Sequence, residues 1–249
     1  KPRLTFKELP QKVKALIVEK CMETIGGAYQ LIPKFVKLKD KMQQNMPAVE
    51  VEDILVLPGQ EDQSLYNPDT VFQFYDKSAV AKPGRGSGES IDVKDIGQFG
   101  QLATPKNMWR RKLSSNWVAA FKLDGQEWAS VTHYMEGSKF KEEHPETYLT
   151  FTTESKSKWS KDPLLAIEAG SKTGGELRDV SISPDKSFTS QKAAAALSSA
   201  QKAKFEQAEG MKEILLGTKD ARLMQYKKGR KREEAIDLMK LRKELAQGV

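Results

Sequence analysis

Cysteine is nearly absent from this chain: Cys21 is the only one in 249 residues. No intramolecular disulfide can form and no Cys-based zinc site can be assembled, a usage that fits a reducing compartment. Histidine is almost as scarce, His133 and His144 alone. That argues against an all-protein transition-metal site, so neither a metal nor a cofactor is expected. Long apolar runs are missing too: none approaches the roughly 20 residues needed to cross a bilayer. The chain begins Lys1-Pro2-Arg3, with neither an initiator Met nor the apolar core of a signal peptide, a start that a processed N-terminus and a removed targeting peptide would explain.

Charge is abundant. Lys and Arg number 41 against 34 Asp and Glu, a net charge of +7 and a pI near 9.2. The excess favours anionic partners, nucleic acid among them, but it is spread along the chain. A hydrophobic fraction of 38% suits one large folded domain with a smaller extension.

The extension covers residues 1–65. Leu9, Val13, Leu16, Ile17 and Cys21 recur at helical spacing behind Pro10, and Gly26-Gly27 ends the run. A second helix is expected over 33–44, lined by Lys34, Lys37, Lys39 and Lys41, then a short strand over 54–57 and a turn over 58–62.

The domain covers 66–249. Residues 71–75 (VFQFY) read as a strand. The glycine-rich stretch that follows has the composition of an anion cradle, with Lys82 and Arg85 supplying charge and Gly84, Gly86 and Gly88 letting backbone N–H groups approach a phosphate. A plain surface loop would share that composition. Asp124-Gly125 between the apolar stretches 117–123 and 126–129 specifies a type I′ hairpin, since both turn positions need positive φ. Ser130 then caps a helix to Phe140. Further helices are expected over 145–151, over 163–170 behind the Asp162 cap, over the alanine-rich 190–207, and over 211–216. A strand over 221–226 and an amphipathic helix over 233–246 close the chain. Helices outnumber strands, which implies an α+β class rather than a doubly wound sheet.

In their order and residues these elements resemble the NADAR (YbiA-like) N-glycosidase family, in the branch most familiar from large DNA viruses and protists. The block from Ser114 through Asn116, Trp117, Asp124-Gly125, Trp128 and Ser130 to Thr132-His133-Tyr134 looks like the family signature, and MEGSKF at 135–140 continues it. FYDKS at 74–78, PGRGSGE at 83–89, AKFEQ at 203–207, EILLGT at 213–218 and DLMKLR at 237–242 are similar to further family blocks. The resemblance implies a mainly helical α+β domain with a small hairpin or sheet, and an ancestral chemistry of cleaving N-glycosidic bonds in ADP-ribose-related or riboflavin-pathway nucleotides.

Two departures stand out. The family's motif Glu is replaced by Thr132, a hydroxyl without base strength near neutral pH. The family's acidic loop before the last helix is replaced by Tyr226-Lys227-Lys228-Gly229-Arg230-Lys231-Arg232, which puts cations where an oxocarbenium-like transition state develops positive charge. The expected site is therefore a degenerate pocket of Asn116, Thr132, His133 and Glu136; Glu127 at the hairpin edge and Glu89 in the glycine loop are further acids that could substitute, with a solvated acid as the alternative for each. Three readings follow. The first, adopted as the expectation, is a non-catalytic structural or interaction subunit of a larger assembly of proteins (virion, organellar or ribonucleoprotein-like), keeping vestigial nucleotide binding. The second is an active N-glycosidase with a rearranged acid. The third is a basic nucleic-acid-associated protein that grips polyanions through Lys227, Lys228, Arg230, Lys231 and Arg232.

Overall fold

Residues 65–104, 107–227, 229 and 231–248 are described by the structure, a computed structural model. The helices and strand expected before residue 65 lie outside the described residues, as do Lys228 and Arg230 of the basic loop.

Strand β1 (Asn67–Phe74) places Thr70, Phe72 and Phe74 inward with a period of two. It starts earlier than the apolar run suggests, because Asn67 pairs with the far strand β4 (Ala221–Gln225) across a bulge. β1 and β4 run parallel, so the whole intervening chain forms the crossover between them. On the other edge of β4 lies β5 (Glu233–Glu234), antiparallel, giving the order β1-β4-β5. This corrects the expected start of the last helix. Glu233 and Glu234 pair with Gln225 and Met224, and Arg222 Nη2 donates to the Glu234 carboxylate, so helix α7 begins only at Ile236 and runs to Gln247.

Between β1 and β4 come a 3₁₀ segment (Val93–Leu102) and a one-turn helix α1 (Trp109–Leu113), then the hairpin β2 (Phe121–Leu123) and β3 (Gln126–Trp128). Asp124 (φ 53°) and Gly125 (φ 73°) turn it as the type I′ geometry demands. Helix α2 (Val131–Ser138) follows, its first turn capped by Ser130 Oγ, which accepts from the His133 amide. Next are α3 (Pro145–Leu149), a short 3₁₀ turn (Thr153–Ser155) and α4 (Pro163–Ala169). Asp162 caps α4 by accepting from Leu164 and Leu165 N–H. Two further helices complete the crossover, α5 (Ser190–Gln207) and α6 (Met211–Gly217). The architecture is α+β and mainly helical, and no helix among the described residues is long and apolar enough to cross a membrane.

Two apolar cores result. One surrounds the parallel pair, with Phe72, Phe74, Leu223, Leu215, Met239 and Leu241. The other gathers Trp128, Phe140, Phe151, Ala166, Ala200 and Ala203. α5 joins them, giving Ala200 and Ala203 to the second and Phe205 to the first. At Gly137 a methyl group would come 3.1 Å from Phe151 Cβ and 3.2 Å from Trp128 Cζ3, so a side chain there would push Phe151 and Trp128 back by a few tenths of an ångström.

Candidate functional site

The signature residues are assembled by a tight turn behind α1. Ser114 caps that helix, its Oγ accepts from Asn116 N at 3.2 Å, and its carbonyl accepts from Trp117 N. Thr132, in the first turn of α2, donates its amide to Ser115 O at 3.1 Å and its hydroxyl to Asn116 Oδ1 at 2.6 Å. Asn116 Nδ2 in turn reaches Asp76 Oδ2 at 3.4 Å. Asp76 stands in the Tyr75–Ser78 turn beyond β1, which is closed by Ser78 N→Tyr75 O and held by Arg111 Nε→Ser78 O. A line Asp76–Asn116–Thr132 therefore connects three segments distant in sequence.

Asp76 and Asn116 face an open depression of about 310 Å³ that Lys161, Asp162, Pro163 and Leu164 complete. Thr132 is buried behind Asn116 and does not line it. The depression offers two carboxylates, an amide and a cation, enough to orient a polar ligand. Its carboxylates come from Asp76 and Asp162, neither of which stood among the expected site residues. Asp76 is invisible to local patterning, because only the turn at Ser114 brings Asn116 to it.

The other expected members of the pocket have internal roles. His133 is fully buried, with Nδ1 2.7 Å from Ser130 Oγ. Burial pushes its pKa down to about 4, against smaller upward pulls from the Trp159 backbone and the Asp162 charge, so the imidazole is neutral near pH 7. Glu136 accepts a hydrogen bond from Lys139 Nζ, which also donates to Gly170 O at 3.2 Å. Burial raises the Glu136 pKa, with Lys139 acting in the opposite direction. The carboxylate packs on Gly170 at the end of α4. Glu127 accepts from Thr153 Oγ1 at 2.8 Å at the hairpin edge.

The glycine-rich loop does form a nest of backbone donors, and its occupant is the chain's own Glu89. Glu89 Oε2 accepts from Gly84 N at 3.1 Å, Gly86 N at 2.9 Å and Arg110 Nη2 at 2.6 Å. Its Oε1 accepts from Arg110 Nε at 2.6 Å and Gln73 N at 3.3 Å. Arg110 also donates to the Ala81 and Lys82 carbonyls and lies over the Trp109 ring. Two of the amides that composition assigned to a phosphate thus bind a carboxylate. Lys82 and Arg85 project from this loop, both exposed.

Gly88 meets the basic loop. Arg232 Nη1 donates to Gln73 Oε1 at 3.1 Å and to Gly88 O at 3.4 Å. Lys227 pairs with Glu233 at 2.5 Å, and Lys231 is exposed. Because β1 and β4 are parallel, Tyr75 and Tyr226 leave the sheet side by side, their rings 5.2 Å apart. The basic loop, the glycine-rich loop and the turn carrying Asp76 consequently all issue from one end of the sheet. Among known proteins, no family model matches the chain and no curated protein matches it. The NMR structure of the E. coli protein YbiA is similar at 22% identity and a TM-score of 0.43, over 77% of this chain and 95% of that one.

Proposed function

We propose that the chain is a non-catalytic relative of the N-glycosidases it resembles, serving as a structural or interaction subunit of a larger protein assembly. One observation carries this reading: Thr132, at the position of the family's motif Glu, is buried, has its hydroxyl bonded to Asn116 Oδ1 and does not line the open depression. A hydroxyl so placed neither activates water nor stabilises an oxocarbenium-like charge. The other acids of the motif blocks are engaged within the fold: Glu136 by Lys139, Glu89 by Arg110 and Glu127 by Thr153. The partners are other protein subunits of the assembly, with the exposed cations Lys82, Arg85 and Lys231 available to a polyanion.

The decisive test is base release by the full chain from ADP-ribose-related nucleotides, NAD⁺ among them, and from phosphorylated riboflavin-pathway N-glycosides. No turnover above the uncatalysed rate is expected. Cross-linking of the protein in its native particles should then give inter-subunit links from this domain.

A second reading rests on Asp76, whose carboxylate borders the depression beside Asn116. On that reading Asp76 takes over the water-activating role. Turnover that Asp76→Asn abolishes and Glu136→Gln leaves intact establishes it and overturns the first.

A further inference from the structure

Where the turn after α2 meets the turn before α5, three potential ligand side chains converge. One ligand atom each from Glu143, His144 and Asp185 lies within 4.8 Å of the others. We propose that these three residues bind one divalent first-row transition cation, with zinc the best match.

The ligand chemistry and the state of Asp185 both support this. Ligand atoms about 2.0–2.2 Å from a tetrahedral zinc lie roughly 3.5 Å apart, so closing the triad needs side-chain shifts of about an ångström. Asp185 is only 5% exposed. Its Oδ2 accepts from Glu142 N at 2.7 Å, while its Oδ1 is buried without a hydrogen-bond partner. A carboxylate oxygen in that state is costly unless a donor or a cation reaches it. Three lysines of these segments are engaged by other carboxylates: Lys192 by Glu142, Lys141 by Asp124 and Lys139 by Glu136.

The frame is already built. Asp185 N donates to Lys139 O at 2.7 Å, Ser187 Oγ to Glu142 Oε2 at 2.5 Å and Lys186 N to Glu143 Oε1 at 3.3 Å. These bonds fix the two turns against each other before any ion arrives. Two carboxylates neutralise a dication, and the imidazole favours zinc-like ions over calcium or magnesium, which prefer all-oxygen shells. Water fills the remaining position. The site departs from the expectation that so few histidines and cysteines hold no transition metal, because carboxylates supply two of its three ligands.

Zinc titration of the full chain against a chromophoric chelator, with thermal unfolding in parallel, tests the site. One Zn²⁺ per chain and a raised Tm are expected, with Cys21→Ser behaving as the parent. Asp185→Asn, Glu143→Gln and His144→Gln should each weaken binding about tenfold or more. His144 keeps 30% of its side chain exposed, so His144→Gln remains informative if the Asp185 variant fails to fold. No competition with the chelator, binding unchanged by His144→Gln, or binding lost in Cys21→Ser overturns the proposal.

Discussion

Glu89 and Arg110 form a bidentate pair at 2.6 Å on both oxygens, with side-chain exposures of 0% and 4%. The pair holds the glycine-rich loop onto α1, since Glu89 takes the Gly84 and Gly86 amides and Arg110 takes the Ala81 and Lys82 carbonyls. Removing one partner leaves the other charge buried alone, which costs about 3–5 kcal/mol. Glu89→Gln and Arg110→Met should each show that loss in urea unfolding, and the double variant should lose less than the sum of the two. Additive losses in that cycle would mean that the two side chains act independently.

Lys204 gives the chain a pH dependence on the alkaline side. It is fully buried, donates to Lys112 O at 2.7 Å and Ser114 O at 2.8 Å, and so anchors the turn that presents Asn116. Burial pushes its pKa down to about 7, against about 10.4 in an unfolded chain. Between these values the unfolded state binds more protons, so stability rises with pH. From about pH 7 to about 9.5 the gain is roughly 3 kcal/mol. Denaturant midpoints across that window should climb, and Lys204→Met should flatten the climb. A wild-type profile that is level or falls there contradicts it.

His133 acts on the acid side. Its folded pKa of about 4 lies below the ordinary value near 6.5. The unfolded state therefore takes up the proton first, and stability drops as pH falls from about 6.5 to 4, by roughly 3 kcal/mol for this group. The imidazole ¹⁵N shifts should stay those of a neutral ring down to about pH 5. An imidazolium spectrum at about pH 6 would show that His133 is hydrated.

Much of the fold was legible because it is local. Asp124-Gly125 turns its hairpin, Ser130 and Asp162 cap the helices they precede, and α5 spans the predicted alanine-rich stretch. The remainder depends on partners far away in the chain. Glu233 and Glu234 leave the helical pattern because β4 offers them an edge. The five-residue α1 is too short to show a period. Glu89 is claimed by an arginine 21 residues on, and Lys204 by carbonyls about 90 residues back. Asp76 lies 40 residues from Asn116, so composition offered no reason to join them.

The basic loop offers the last prediction. Its cations are Lys227, Lys228, Arg230, Lys231 and Arg232. The structure gives Lys227 an ion pair with Glu233 and Arg232 two hydrogen bonds to Gln73 and Gly88. Lys227 and Glu233 are 43% and 49% exposed, and an exposed pair of this kind contributes about 0–1 kcal/mol. A phosphate can displace such partners at little cost, and the loop shares one end of the sheet with the exposed Lys82 and Arg85. The chain should therefore bind short RNA and DNA at low salt, with log K falling linearly with log salt. Changing all five cations to Gln should weaken binding and reduce the slope by about 0.9 for each phosphate no longer neutralised. Fluorescence anisotropy across a salt series measures both quantities. An unchanged slope in the five-fold variant would place the polyanion elsewhere on the surface, and absence of binding at low salt would leave the loop a charged turn packed against Gln73.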